Sequence, residues 1–377
     1  MRILHTADWH LGKIVNDYSM LENQRHYLNE LLDAIQSLQV EAVIMAGDLY
    51  DRSMPPKEAV ALADEILTRI VTELKIPLLV ISGNHDSQER LEYGSRLFTE
   101  NKLYMEGTVK TFTRKVTIQD TNFYLIPFGD PVSVREVVQE PSIRTMEDVA
   151  RYQMKKLAPD FDPTAVNILV SHGYVINGSA DSIEESDSER PLSIGTAEYV
   201  PVELLEHFDY VALGHIHKAQ KVKHHHVRYS GSILKYSKSE ARHQKQSLLL
   251  DITKDDLAVE PILIKPLRDM RILRGTFSEL IQSSSDDYIF FELEDDGIIL
   301  DPMNQLRRQY PHAMGLEYVN RHEAISSSLN HTQADIEQKS LMELFTDFYT
   351  QYTKNELHAE DQKIIEAALA TIERSQE

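Results

Sequence analysis

Leu78-Leu79-Val80-Ile81-Ser82-Gly83-Asn84-His85-Asp86 is the stretch on which the fold turns. Four apolar residues make a strand buried on both faces, and three consecutive polar side chains cannot continue it as strand or core. The chain therefore leaves the sheet at Gly83 and presents Asn84, His85 and Asp86 at the carboxyl edge. The same pattern recurs outward from this point. Met1-Arg2-Ile3-Leu4 precedes Asp8-Trp9-His10, and Ala42-Val43-Ile44-Met45 precedes Gly47-Asp48-Leu49-Tyr50-Asp51. Asn167-Ile168-Leu169-Val170 precedes Ser171-His172-Gly173, and Tyr210-Val211-Ala212-Leu213 precedes Gly214-His215 and His217. Carboxyl edges of strands are where α/β folds bind ligands. Five such edges delivering Asp, Asn and His describe a pocket of oxygen and imidazole donors suited to a pair of divalent metals. Singly, D-x-H or G-D-x-x-D is a common polar turn. G-N-H-D after a strand is more specific, and G-H-x-H places both imidazoles on one face of an extended segment, the alternative being a half-buried strand edge.

The 377 residues allow two to three domains, and a 42% hydrophobic content supports a sizeable core. No apolar stretch approaches the roughly 18 residues of a membrane span. An acid and two histidines within the first ten residues do not read as a signal peptide. The absence of cysteine excludes disulfides, thiolate zinc, iron–sulfur clusters and a cysteine nucleophile, and it fits a cytoplasmic setting. There is no G-x-x-x-x-G-K-[ST] for ATP and no G-x-S-x-G for a serine nucleophile. A net charge of −21 opposes nucleic-acid binding by the chain alone. The charge is uneven, however. Positions 214–245 hold eight Lys and Arg against a single acid, Glu240, so +7 there leaves −28 elsewhere. Lys218, Lys221 and Lys223 follow His217 directly and are candidate phosphate contacts, the alternative being a solvated strand edge.

Residues 1–83 read β-α-β-α-β, with helices on the Leu21, Leu28, Leu31, Leu32, Ile35 stripe and after Pro55-Pro56. Residues 104–130 read as paired strands, and 177–200 as a long polar connection with five acids between 181 and 189. The expected domains are 1–265, a layered α/β core; 266–325, a small α+β domain; 326–338, a polar linker; and 339–377, two amphipathic helices. Leu341, Leu344, Phe345, Phe348, Tyr349 and Tyr352 form the first stripe of that last segment, which needs a surface to cover it.

The ordered motifs resemble those of the calcineurin-like metallophosphoesterases. MRILHTADWHLG at the start, GNHDSQERL from Gly83, ALGHIHKAQ from Ala212, YSGSIL from Tyr229 and PLRDMRILRG from Pro266 are similar to the bacterial SbcD family of DNA repair nucleases. The resemblance spans nearly the whole chain and is weakest at 177–200. It implies a two-sheet α/β metallophosphoesterase core flanked by helices, a small α+β capping domain and C-terminal helices. It also implies roles. Asp8, His10, Asp48 and His217 would hold one metal, and Asp48, Asn84, His172 and His215 a second, with Asp48 bridging. Two such ions activate a water and stabilise the phosphorane. Manganese is the ion implied; nitrogen and oxygen donors alone would also accept iron, cobalt or zinc. His85 would face the scissile phosphate and protonate or stabilise the leaving oxygen, with Asp86 orienting it.

The same resemblance implies exonuclease action on double-strand ends and endonuclease action on single strands and hairpins. ATP regulation would come from an SbcC-type coiled-coil ATPase bound by the C-terminal helices, in a heterotetramer built on a homodimer through the first two helices. Two other classes remain open: a stand-alone phosphoesterase for a small nucleotide or phosphoprotein, and a scaffold that has lost its metals. The latter predicts missing ligands, and none is missing.

Overall fold

The computed structural model describes residues 1–189, 198–297, 299–319 and 340–353, with 357, 362 and 365. The expected linker at 326–338 and the second C-terminal helix at 360–373 lie outside the described residues, apart from 362 and 365. The chain divides into two compact units, Met1–Arg271 and Ile272–Glu377.

The first unit is built on two six-stranded mixed sheets. One runs Leu257–Ile262, Ser247–Ile252, Arg2–Thr6, Ala42–Ala46, Leu78–Ile81, Leu103–Glu106. Its last four strands are mutually parallel, and the first two are antiparallel additions. The other runs Gln220–Lys221, Val227–Tyr229, Tyr210–Gly214, Val166–His172, Thr121–Ile126, Arg114–Ile118. Its four inner strands are parallel. The expected pairing over 104–130 holds for Arg114–Ile118 with Thr121–Ile126, whereas Leu103–Glu106 joins the other sheet beside Leu78–Ile81.

Strand alternation sorts the core. Ile3, Ile44, Leu79, Phe123, Ile168 and Ala212 point between the sheets and form one cluster. Leu4, Val43 and Val80, out of phase with these, are equally buried on the outer face. The helices Leu21–Ser37 and Lys57–Thr68 bury Leu28, Leu31, Ile35, Leu62 and Ile66. Strands covered on both faces explain the unbroken apolar runs.

The two sheets touch where the motifs end. The Nδ1 of His172, on one sheet, lies 2.9 Å from the carbonyl oxygen of Ala46 on the other. A Cβ on Gly214 would come within 1.9 Å of that same oxygen, so only glycine lets the backbones approach this closely.

The second unit holds a three-stranded sheet, Met270–Gly275, Tyr288–Leu293, Ala313–Tyr318, the last two parallel. Its core joins Leu280, Ile289, Phe291, Leu306 and Tyr310. The helix Leu341–Thr353 comes later in the chain.

Candidate metal centre

All seven expected metal-site residues converge on the carboxyl edge of both sheets. Asp8, His10, Asp48, His172, His215 and His217 are buried, and Asn84 is partly so. Among the described residues three groups of donors lie close enough to share ions: Asp8, His10 and His217; Asp48, His172 and His215; and His10, Asp51 and His85. Within the first, the Nε2 atoms of His10 and His217 face each other at 3.0 Å. Within the second, Asn84 Oδ1 is 3.0 Å from His172 Nε2 and 3.1 Å from His215 Nδ1. Asp48 stands between them, its Oδ2 3.6 Å from His10 Nε2 and 3.5 Å from His172 Nε2.

The backbone is bent to achieve this. Asp8, His10, Asp48 and His215 all have φ between 45° and 105°, a region non-glycine residues rarely enter. Each costs on the order of 1–3 kcal/mol, and such strain clusters at functional sites. The first two loops are zipped together by hydrogen bonds from the amides of Asp8, His10 and Leu11 to the carbonyls of Gly47, Asp48 and Leu49, each 3.0 Å. Asp8 then accepts the His215 amide at 2.9 Å, fastening the second sheet's loop to the first.

The donor set fits divalent ions. His10 Nδ1 and His215 Nε2 are buried without a hydrogen-bond partner among the described residues. Burial holds both imidazoles well below their ordinary range, so each is neutral with one lone pair to offer, and the nitrogens facing the cluster are His10 Nε2 and His215 Nδ1. His172 Nδ1 must donate to the Ala46 carbonyl, which leaves its Nε2 to face the pocket. A pair of ions bound here would polarise a phosphoryl oxygen and supply an activated water.

His85 lies beside the cluster, its Nε2 4.0 Å from Asp48 Oδ2. Its Nδ1 is 2.7 Å from the carbonyl oxygen of Asp51. A carbonyl only accepts, so Nδ1 carries a proton and Nε2 is the nitrogen that can exchange one with a reacting atom. Asp86, expected to orient His85, is held by backbone amides. Its carboxylate takes the amides of Leu49, Tyr50 and Gly83 at 3.1, 2.9 and 2.9 Å and stitches the second loop to the third. The expected orientation of His85 falls instead to the Asp51 backbone.

Two families match the chain. The calcineurin-like phosphoesterases match residues 1–219, and the Type 5 capsule protein repressor C-terminal domain (SbcD_C) matches residues 266–353. The SbcD polypeptide of nuclease SbcCD from Staphylococcus epidermidis is 35% identical over 363 residues, covering 95% of each chain. The chain belongs to the SbcD family. Among solved structures, TT1561 of Thermus thermophilus is 16% identical with a TM-score of 0.40 over 69% of this chain and 98% of that one. A dimetal phosphatase from Danio rerio is 11% identical with the same score over 69% and 95%. As an SbcD-family member the chain is a metal-dependent phosphoesterase of the nuclease kind.

The three candidate phosphate lysines of this SbcD-family chain are differently placed. Lys218 pairs with Glu184, and Lys223 is 3.0 Å from Glu203 and 3.2 Å from Glu206. Lys221 is exposed on its short strand. Lys235 pairs with Asp269 at 2.9 Å, and Lys245 with Glu240 at 2.5 Å. Four of the eight basic residues at 214–245 are thus paired with local acids. Trp9 is fully buried, its Nε1 donating to Thr6 Oγ1. His5 is a satisfied core histidine between Tyr210 and the Leu213 carbonyl.

Residues unread in the sequence also build the site. Gln24, on the first helix, donates to the carbonyls of Trp9 and His10 and accepts from the Gly12 amide. No helical pattern distinguishes it from a solvated glutamine. Ser188 and Glu189 reach His217 from the long polar connection.

Protonation in the metal-free site gives a test. Burial pushes the Asp8 carboxyl up to about 7, against the pull of His172 and His217. Burial alone would lower His172, but Asp48 raises it to about 9. Both groups must lose protons before donating to an ion, so uptake near pH 7 releases protons and apparent affinity climbs as pH rises toward 9. Calorimetric titration in buffers of different ionisation enthalpy is expected to register a release of one to two protons, on the order of the two groups named. A proton count of zero would contradict this.

Proposed function

We propose that the chain is the nuclease component of an SbcC–SbcD complex, hydrolysing DNA phosphodiester bonds with two manganese ions. Asp8, His10, Asp48 and His217 hold one ion, Asp48, Asn84, His172 and His215 the other, and His85 handles the proton at the leaving oxygen. The observation that carries this is the double donor cluster bridged by Asp48, with His85 Nε2 turned toward it.

The −21 charge and the paired lysines support a division of labour in which the partner supplies much of the phosphate-binding surface. The reading places SbcC, a long coiled-coil ATPase, on the C-terminal helices, with ATP dependence conferred through it. The partnered chain works in the cytoplasm on double-strand ends, single strands and hairpins during repair and recombination. No helix among the described residues is long and apolar enough to cross a membrane. A homodimer is part of the same reading. That reading runs through the first two helices; beside the second of them Val60, Tyr93 and Phe98 line a cleft of about 540 Å³. Tyr93 is 83% exposed and the nearby Leu97 74%, unusual for such side chains without a covering partner.

The test is cleavage of end-labelled linear and hairpin DNA with manganese, with and without SbcC and ATP. Cleavage stimulated by partner plus ATP supports the reading. Hydrolysis of small phosphodiesters with no cleavage of DNA under any combination would replace it with a stand-alone phosphoesterase. Deleting 335–377 is expected to leave manganese-dependent hydrolysis of a small phosphodiester intact while abolishing SbcC capture. A truncated chain that still co-purifies with the ATPase would remove the docking assignment.

A further inference from the structure

Behind His217, on the side away from the donor cluster, lies a buried polar chain that the reaction as described leaves unused. His217 Nδ1 is 2.6 Å from Ser188 Oγ and 3.2 Å from Glu240 Oε1. Ser188 Oγ also donates to that same glutamate oxygen. Glu240 is fully buried, and its other oxygen is 2.5 Å from the ammonium of Lys245. Lys245 in turn donates to the His217 carbonyl and to Ser232 Oγ, both at 2.8 Å. Glu189 holds the His217 amide at 2.6 Å. The imidazole, its carbonyl and its amide are thus each gripped by a charged side chain.

We propose that Glu240, with Ser188 and Lys245, is a positioning device that fixes His217 as the Nδ1–H tautomer and aims its Nε2 lone pair at the first metal. This rests on the two-metal reading above. A carboxylate paired with an ammonium can only accept from the imidazole, and Ser188, whose hydroxyl proton goes to Glu240, can likewise only accept. Both available partners therefore place the proton on Nδ1. Nε2 is left bare, 3.0 Å from His10 Nε2, inside the cluster of Asp8, His10 and His217. A carboxylate behind a ligating imidazole both orients the ring and raises its basicity. Glu240 is the single acid in an otherwise basic run of 32 residues, 214–245, which is the signature expected of a charge placed for one partner. The long polar connection enters the same device, since Ser186 also donates to Glu240 at 3.2 Å.

The test uses the full chain with histidine-selective ¹⁵N labelling and manganese titration calorimetry. Glu240→Gln strands the buried Lys245 ammonium, so Glu240→Gln/Lys245→Met, which removes both charges, is run beside it. The expected result in the metal-free protein is loss of the fixed Nδ1–H signature of His217. With manganese, one of the two binding events weakens by about ten- to a hundredfold while the other is unchanged. Retention of the Nδ1–H signature with both affinities within about twofold of wild type, a difference too small for a carboxylate that aims a ligand, would overturn the proposal. A wild-type chain that takes up no manganese would sink the two-metal reading instead, and the metal-free tautomer would still decide this one.

Discussion

Asp48→Ala is expected to abolish cleavage, by at least roughly a thousandfold, about 4 kcal/mol of barrier, and to lose metal at both sites together. Asp48 stands against donors of both groups. Its Oδ2 lies within 3.6 Å of His10 in one group and 3.5 Å of His172 in the other. Its Oδ1 accepts the His85 amide at 2.9 Å, so the carboxylate also seats the loop that carries His85. Burial alone would raise this carboxyl, yet His172, His10 and His85 hold it well below the usual carboxylate range. It is therefore ionised at neutral pH. Removing it leaves His172 without the charge that lifts it to about 9, so that imidazole falls back toward neutrality. Metal content by mass spectrometry under native conditions distinguishes this from simple misfolding. A variant that stays folded by circular dichroism yet keeps two ions would show that Asp48 does not bridge.

What the sequence made legible and what it hid follow one physical line. Strand ends are local: an apolar run that stops at Asp, Asn or His names both the element and the edge, which is why Asp8, Asp48, Asn84, His172 and His215 could be gathered in advance. Partners that are backbone groups leave no such trace. Asp86 looks like a companion for its neighbour His85, but three amides claim it, two of them 37 and 36 residues away. The carbonyl of Asp51 has no residue-type signature at all. Sheet membership is non-local too. Leu103–Glu106 reads as half of a hairpin and instead extends the first sheet, because its parallel neighbour Leu78–Ile81 lies across a helical crossover. The helices Pro131–Val138 and Met146–Leu157 do carry local signals. Asp130 caps the first and Thr145 with Asp148 forms a capping box on the second. A reading organised around strand ends passes over them. Glu240 was visible as the odd acid among eight basic residues, and only the fold says what it faces.

His85→Ala separates catalysis from metal binding. The variant is expected to keep both ions, since the donor clusters bridged by Asp48 do not need the His85 ring. Cleavage of DNA is expected to fall by about 10²- to 10⁴-fold, the range for a positioned acid–base group. The size of the loss should depend on the leaving group. A deoxyribose alkoxide is a poor leaving group and needs a proton as the P–O bond breaks; p-nitrophenolate does not. Hydrolysis of bis-p-nitrophenyl phosphate should therefore suffer far less than DNA cleavage in the same variant. The pH profile adds a sign. If Nε2 gives the proton, wild-type DNA cleavage declines on the alkaline side as that nitrogen empties, and the decline disappears in the variant. The fixed Nδ1–H bond to Asp51 makes Nε2 the nitrogen that must do this. Equal losses on both substrates, with both ions retained, would mean that His85 stabilises charge on the phosphoryl group instead of delivering a proton. Loss of an ion would place it in the ligand set, where His10, Asp51 and His85 form a third close group of donors.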